Sequence, residues 1–190
     1  WAVVSHRERM GDWMSRVRKA KLDLSSIDIP ELALRNLLVL EPQPQATALL
    51  RLSSTGGALI VAWRGELCSF RQFNDLNVAH FSSVDLMGRQ ALLERLALEL
   101  QRTADAFERQ FYGTSIERVW VEQSVPDIDL VQQLAPHVSI RLQPYDLADT
   151  LELGHRATVT MNRHKAPKAS LIAVGAALRQ VIVARDRSAA

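Results

Sequence analysis

Residues able to do chemistry are few in this sequence, and their spacing matches no standard reactive constellation. The densest set is the consecutive run Ser53, Ser54, Thr55, Gly56 and Gly57. Successive backbone N–H groups in such a run could make a small nest for a phosphate. A hairpin turn with local side-chain caps is the favoured reading, because paired glycines supply the positive φ that tight turns require. The five histidines, His6, His80, His137, His155 and His164, show neither an H-E-x-x-H pattern nor another short paired spacing, so no metal site is expected. Asp127, Asp129, Asp146 and Asp149 are scattered over expected caps and loops, the first two at a helix start. Cys68 lies in a strand-like run without the basic context that lowers a thiol pKa, and is expected to pack rather than react. The sequence contains no G-x-S-x-G, Walker A or G-x-G-x-x-G motif. No catalytic residue, metal or cofactor is therefore expected, and the protein is not read as an enzyme.

The composition sets the frame for these residues. With 190 residues, 47% of them apolar and 23% charged, the chain can bury a substantial core as one large or two small domains. A single cysteine excludes an internal disulfide and fits a reducing compartment. No apolar run approaches the ~20 residues needed to span a bilayer, and no signal peptide is evident at the start. The sequence opens inside an apolar run, Trp1-Ala2-Val3-Val4, which reads as an interior strand, so the native protein is expected to extend further N-terminally. The densest basic group, Arg16-Val17-Arg18-Lys19-Ala20-Lys21, spreads around a helix and reads as a solvated face rather than a nucleic-acid or anionic-lipid patch. Nucleic-acid binding would need that group and Arg163–Lys168 on one face, and no aromatic residues interleave to support it.

The elements that must position the small-residue run are legible around it. Leu49–Ser53, Ala58–Trp63 and Leu67–Phe73 are apolar runs separated by Ser54-Thr55-Gly56-Gly57 and Arg64-Gly65-Glu66, which predicts an antiparallel three-stranded meander. Upstream, a strand is expected over Trp1–Ser5. A helix follows over Arg9–Lys21, with Met10, Trp13, Met14 and Val17 on one face. Pro30 opens a second helix, Glu31–Leu40, and Glu41-Pro42-Gln43-Pro44-Gln45 cannot continue it. A boundary is placed there, dividing the chain into residues 1–45 and 46–190. Downstream, Asn74–Val84 reads as irregular, with Ser82, Ser83 and Asp85 as candidate caps. A long helix over Leu86–Phe111 carries Leu92, Leu93, Leu96, Leu100, Ala104, Phe107 and Phe111 on one stripe, and Gly113 stops it. Strand Ile116–Val121, helix Ile128–Leu134 and strand Val138–Leu142 follow, an alternation that favours parallel pairing. A short helix is expected over Tyr145–Leu153 and a small-residue helix over Ala169–Leu178, packed against the sheet. Val181-Ile182-Val183 reads as a last strand. The predicted fold is α/β and ribonuclease H-like (one half of an actin-like ATPase), with a mixed sheet.

At these residues the chain resembles the pilus and type II secretion assembly proteins that carry an actin-like cytoplasmic domain. That group includes PilM of type IV pili, the cytoplasmic part of GspL, and MshI of the mannose-sensitive haemagglutinin (MSHA) pilus. The resemblance rests on the meander with Gly65-Glu66-Leu67 and Arg71-Gln72-Phe73, and on the long helix ending in Phe107–Tyr112. It rests equally on Ile116-Glu117-Arg118-Val119-Trp120-Val121 and on Ala173-Val174-Gly175-Ala176-Ala177-Leu178-Arg179. Residues 1–45 resemble the end of a first actin-like lobe and residues 46–190 a second lobe.

Departures from that family matter as much as the matches. Its ATP-binding members join their first two strands by an Asp-Ile-Gly-type turn, and here the resemblance puts Arg51 at the Asp position and Ser53 at the Gly position. A cation in place of a carboxylate removes a ligand for a hard divalent metal. The Gly-rich turn that follows a later strand is replaced by Glu122-Gln123-Ser124-Val125-Pro126, which has no glycine. Arg51 and Ser53 to Gly57 are thus expected to form a degenerate nucleotide site, with binding of ATP and magnesium disfavoured. The resemblance implies a non-catalytic scaffold peripheral to the inner membrane of a Gram-negative bacterium. Its expected partner is the PilN- or GspM-like cytoplasmic tail of a membrane protein, with Trp13, Trp63 and Arg64 as candidate contacts. A homodimer is compatible with the same resemblance. The alternative is a nucleotide-gated ATPase of the same machinery whose phosphate loop lies N-terminal to this sequence.

Overall fold

The computed structural model describes residues 2–40, 44–122, 125, 128–147 and 171–188, with side chains in the last segment described as far as Arg179. Its centre is the predicted meander. Strands β1 (Ala46–Leu52), β2 (Gly57–Trp63) and β3 (Glu66–Phe73) pair antiparallel in sequence order. Trp63 pairs with Glu66 across Arg64 and Gly65, at φ 51° and 80°. Two successive positive φ values define the mirror-image turn whose twist suits a hairpin. β4 (Ile116–Glu122) pairs parallel to the other side of β1, and β5 (Arg141–Tyr145) parallel to β4. The sheet order is therefore β3-β2-β1-β4-β5.

Strand alternation divides the sheet's side chains between two cores. On one face Ala48, Leu50, Leu52, Leu59 and Val61 meet Leu93, Leu96, Ala97, Leu100, Ala104 and Phe107 of the long helix, together with Val119, Val121, Leu130 and Leu134. On the other, Leu49, Ile60, Ala62 and Leu67 meet Leu34, Leu37 and Leu38 of a second helix and Leu171 of the last one. The described residues hold six α-helices: α1 (Arg7–Lys19), α2 (Pro30–Leu38), α3 (Val78–Ser83), α4 (Leu86–Gln110), α5 (Leu130–Leu134) and α6 (Leu171–Ser188). α4 starts where Asp85 accepts a hydrogen bond from the Gly88 N–H at 2.8 Å. α5 is capped in the same way by Asp129.

α2 and α6 pack against one another with almost no space between their backbones. A Cβ on Gly175 would lie 1.9 Å from the Ala33 carbonyl oxygen. The buried Asn36 amide donates to the Gly175 carbonyl at 2.9 Å. Of the small residues of α6, Gly175 serves contact with a helix, while Ala173, Ala176 and Ala177 are exposed.

Several sequence expectations are corrected. Residues 2–5 form no strand: Val3 and Val4 are exposed, and no neighbouring strand supplies a ladder. Val181–Val183 continue α6 rather than forming a strand, since β-branched residues favour strands only where a sheet surface receives them. The segment 74–84 is not irregular throughout. Asn77 caps α3 by accepting from the His80 N–H at 2.9 Å, and Phe81 is fully buried. Ser82 and Ser83 do not cap α4, because their hydroxyls donate back to the carbonyls of Val78 and His80. β5 begins three residues later than predicted, after a 3-10 turn at Ala135–His137. Tyr145 ends β5, and the rest of the helix expected to follow, from residue 148, lies outside the described residues, as does Asp127.

Candidate functional site

In an open sheet with parallel strands, ligands approach the carboxyl ends of the strands. Here β1 and β4 run parallel with Leu50 opposite Val121, so the next residues, Arg51 and Glu122, are neighbours at that end. Both point to the α2/α6 face, because Leu50, Leu52, Val119 and Val121 take the other. Arg51 Nε lies 3.0 Å from Glu122 Oε2, and the two side chains are 24% and 18% exposed. Arg51 is thus matched by an acid from the neighbouring strand.

β1 leads into the small-residue turn. The Ser53 N–H donates to the Gly56 carbonyl at 2.7 Å, and the Val78 N–H donates to the Ser53 carbonyl at 2.9 Å. Ser53 Oγ donates to the Gly56 carbonyl at 2.8 Å, stands 3.2 Å from Thr55 Oγ1, and accepts from the Thr55 N–H. Glycine is needed at positions 56 and 57 for close approach. A Cβ there would meet the Phe73 carbonyl oxygen at 2.6 Å and the Leu76 carbonyl oxygen at 2.9 Å. Backbone groups that could face an anion are therefore spent in part on closing the turn.

Arg51, Ser53, Thr55, Gly56 and Gly57 line a cavity of about 230 Å³ under the start of α2. Glu31, Gln72 and Asn74 add polar groups that the sequence did not single out. Ser54 does not line it. Glu122 was visible in sequence only as part of a turn without glycine. Pairing it with Arg51 needs the β1–β4 register, which no local motif encodes. Of that turn the structure describes Glu122 and Val125, the latter buried against the α4 face. Of the acids here, Glu31 lines the cavity and Glu122 is paired with the Arg51 guanidinium, and the described residues contain no cluster of metal-binding side chains.

The three candidate contact residues fall into two places. Arg64 stacks over the Trp63 ring at 4.2 Å. Trp63 is half-buried, packs edge-on to Phe111 with ring centroids 5.8 Å apart, and donates from Nε1 to the Pro44 carbonyl at 3.2 Å. Its packing role is thus considerable. Trp13 stands on α1, 57% exposed, with Arg16 over its ring at 5.4 Å. Cys68 sits in β3 with Sγ 3.6 Å from the Glu66 carbonyl. Burial pushes its thiol pKa up, and the Glu66 charge adds to the rise.

A mixed five-stranded sheet, with a meander followed by parallel strands and helices on both faces, is the ribonuclease H-like arrangement of actin-type proteins. The chain is similar to the solved PilM-PilN type IV pilus biogenesis complex, with a TM-score of 0.65 and 17% sequence identity over 93% of this chain and 59% of that one. It is also similar to the ethanolamine utilization protein EutJ from Carboxydothermus hydrogenoformans, with a TM-score of 0.51 and 10% identity over 74% of this chain and 57% of that one. The chain thus spans less than two thirds of the length of either neighbour. No protein-family profile and no curated protein sequence matches it.

Proposed function

We propose that this chain is a non-catalytic, actin-like scaffold in the assembly of a type IV pilus, of the MSHA type, or of a related type II secretion platform. It binds the cytoplasmic tail of a PilN-like membrane partner and is held at the inner membrane through that partner. The observation that supports the non-catalytic half is the Arg51–Glu122 ion pair, since a hard divalent metal is held by carboxylates and this one is engaged by a cation. The assembly half is supported by the likeness in fold to the neighbour solved as a PilM-PilN complex. No helix among the described residues is long and apolar enough to cross a membrane, which is compatible with attachment through a partner.

The deciding experiment is calorimetric titration of the full-length natural protein with ATP and magnesium, and separately with the cytoplasmic tail peptide of its PilN-like partner. The expected result is binding of the peptide and no binding of nucleotide. Micromolar ATP binding would replace the scaffold with a nucleotide-gated ATPase of the same machinery, its phosphate loop contributed from outside this chain. Failure to bind the peptide would sink the assembly reading.

A further inference from the structure

α1 is unlike every other long helix of the structure: it buries none of its 13 residues. At about 100° per residue, Trp13, Val17, Met10 and Met14 share one arc of roughly 100°. Trp13 and Met14 are 57% and 44% exposed, and Met10 and Val17 are half-buried. The charges are arranged about that arc and not at random. Arg9 and Arg16 border one side of it, and Arg7 and Arg18 border the other. The two acids of the helix, Glu8 and Asp12, lie on the opposite face. Val3 and Val4 before the helix and Leu22, Leu24 and Ile27 after it are exposed as well.

We infer that α1 is a membrane-surface helix, lying in the headgroup region of an anionic bilayer with its Trp-Met-Met-Val stripe inward. The apolar arc supplies the insertion, and tryptophan favours the boundary between headgroups and acyl chains. Arginines on both flanks can keep their stems along the apolar layer while their guanidinium groups reach lipid phosphates. Carboxylates turned to the far side avoid the negative surface. A groove in a protein partner gives no reason for cations to border the stripe on both sides; a flat anionic surface does. α1 ends at Lys19, Lys21 turns the chain away from it at a φ of 54°, and residues 22–29 carry no regular structure before α2. The helix therefore sits on a connecting segment that can lay it flat without disturbing the sheet. This contact is independent of any pilus partner and would hold the protein at the membrane directly.

The test is sedimentation of the full-length natural protein with vesicles of phosphatidylcholine, with and without phosphatidylglycerol, as salt is raised. The expected result is pelleting with the anionic vesicles only, falling as salt increases. Arg9→Glu with Arg16→Glu should weaken that partition by about thirtyfold or more, given two cations reversed at the surface. Trp13→Ser should weaken it without altering the thermal melt, since Trp13 is exposed and α1 buries none of its residues. Absence of pelleting, or pelleting indifferent to these variants, overturns the inference. So does a dimer that Trp13→Ser dissociates while vesicles bind neither form, because the stripe would then cover a second copy of the chain.

Discussion

Replacing Gly175 with alanine sets two physical effects against each other, and the α2–α6 contact decides the sign. Alanine inside a helix is about 1 kcal/mol better than glycine, so local propensity alone predicts a more stable protein. The added Cβ would lie 1.9 Å from the Ala33 carbonyl oxygen and 2.6 Å from its carbon. Both are backbone atoms, which cannot rotate away as a side chain can. The helices would have to separate by on the order of 1.5 Å to restore ordinary contact. That movement loosens Leu34, Leu37 and Leu38 against Leu171, Val174 and Leu178, an overpacking cost of about 1–3 kcal/mol. It also stretches the buried hydrogen bond from Asn36 to the Gly175 carbonyl, whose loss costs about 1–3 kcal/mol. The expected net effect of Gly175→Ala is a loss of about 1–5 kcal/mol, read as a lower midpoint in urea unfolding followed by circular dichroism. Gly11→Ala is the control, because a Cβ there meets nothing within 4 Å. It should leave the midpoint unchanged and only raise the helicity of α1. A Gly175→Ala protein as stable as the parent, or more so, would refute the close approach of α2 and α6.

Other expectations are accessible to the same assays. Arg51→Gln and Glu122→Gln should each cost about 1–2 kcal/mol, with a coupling of about 1 kcal/mol in the double-mutant cycle, because the pair is neither fully exposed nor fully buried. Zero coupling would remove the ion pair from the site. Asn36→Ala should lower stability by about 1–3 kcal/mol, and a neutral result would mean that its amide is not donating inside the core. Asp85→Ala should cost about 1 kcal/mol through loss of the α4 cap, while Ser83→Ala, whose hydroxyl bonds back into α3, should cost less. Cys68 should react with iodoacetamide at pH 8 more slowly than a free thiol, since only the thiolate attacks and burial raises its pKa; equal rates would place Cys68 in solvent.

What could be read from the sequence divides by how local its cause is. Arg64-Gly65 between two apolar runs specifies a two-residue hairpin, and Asp85 before a seven-membered apolar stripe specifies α4. Each signal is complete within a few residues. The run Val181-Ile182-Val183 misleads because local β preference is contingent on a sheet being there to receive it. Residues 2–5 mislead in the same way: Val3 and Val4 are exposed, and no strand among the described residues pairs with them. α3 was hidden because a six-residue helix has no room for a periodic pattern and rests instead on Asn77 and the buried Phe81. At the candidate site the small residues of the turn were visible as a motif, whereas the Arg51–Glu122 pair depends on two strands separated by the whole of α4. The stripe of α1 was visible as an amphipathic pattern, and only the structure reveals that none of its residues is buried.

The Asn36–Gly175 hydrogen bond joins residues 139 positions apart, and so sets an order of events in time. A ribosome adding about 5–20 residues per second needs roughly 7–28 s to travel that distance. Throughout that interval α2 has been made and its partner has not, leaving Leu34, Leu37 and Leu38 without the helix that seals them. The meander and α4 can assemble as they emerge, but the second core closes only once α6 has been made. A nascent chain halted before residue 171 should therefore engage holdase chaperones through the α2 face, and release them once α6 clears the exit tunnel.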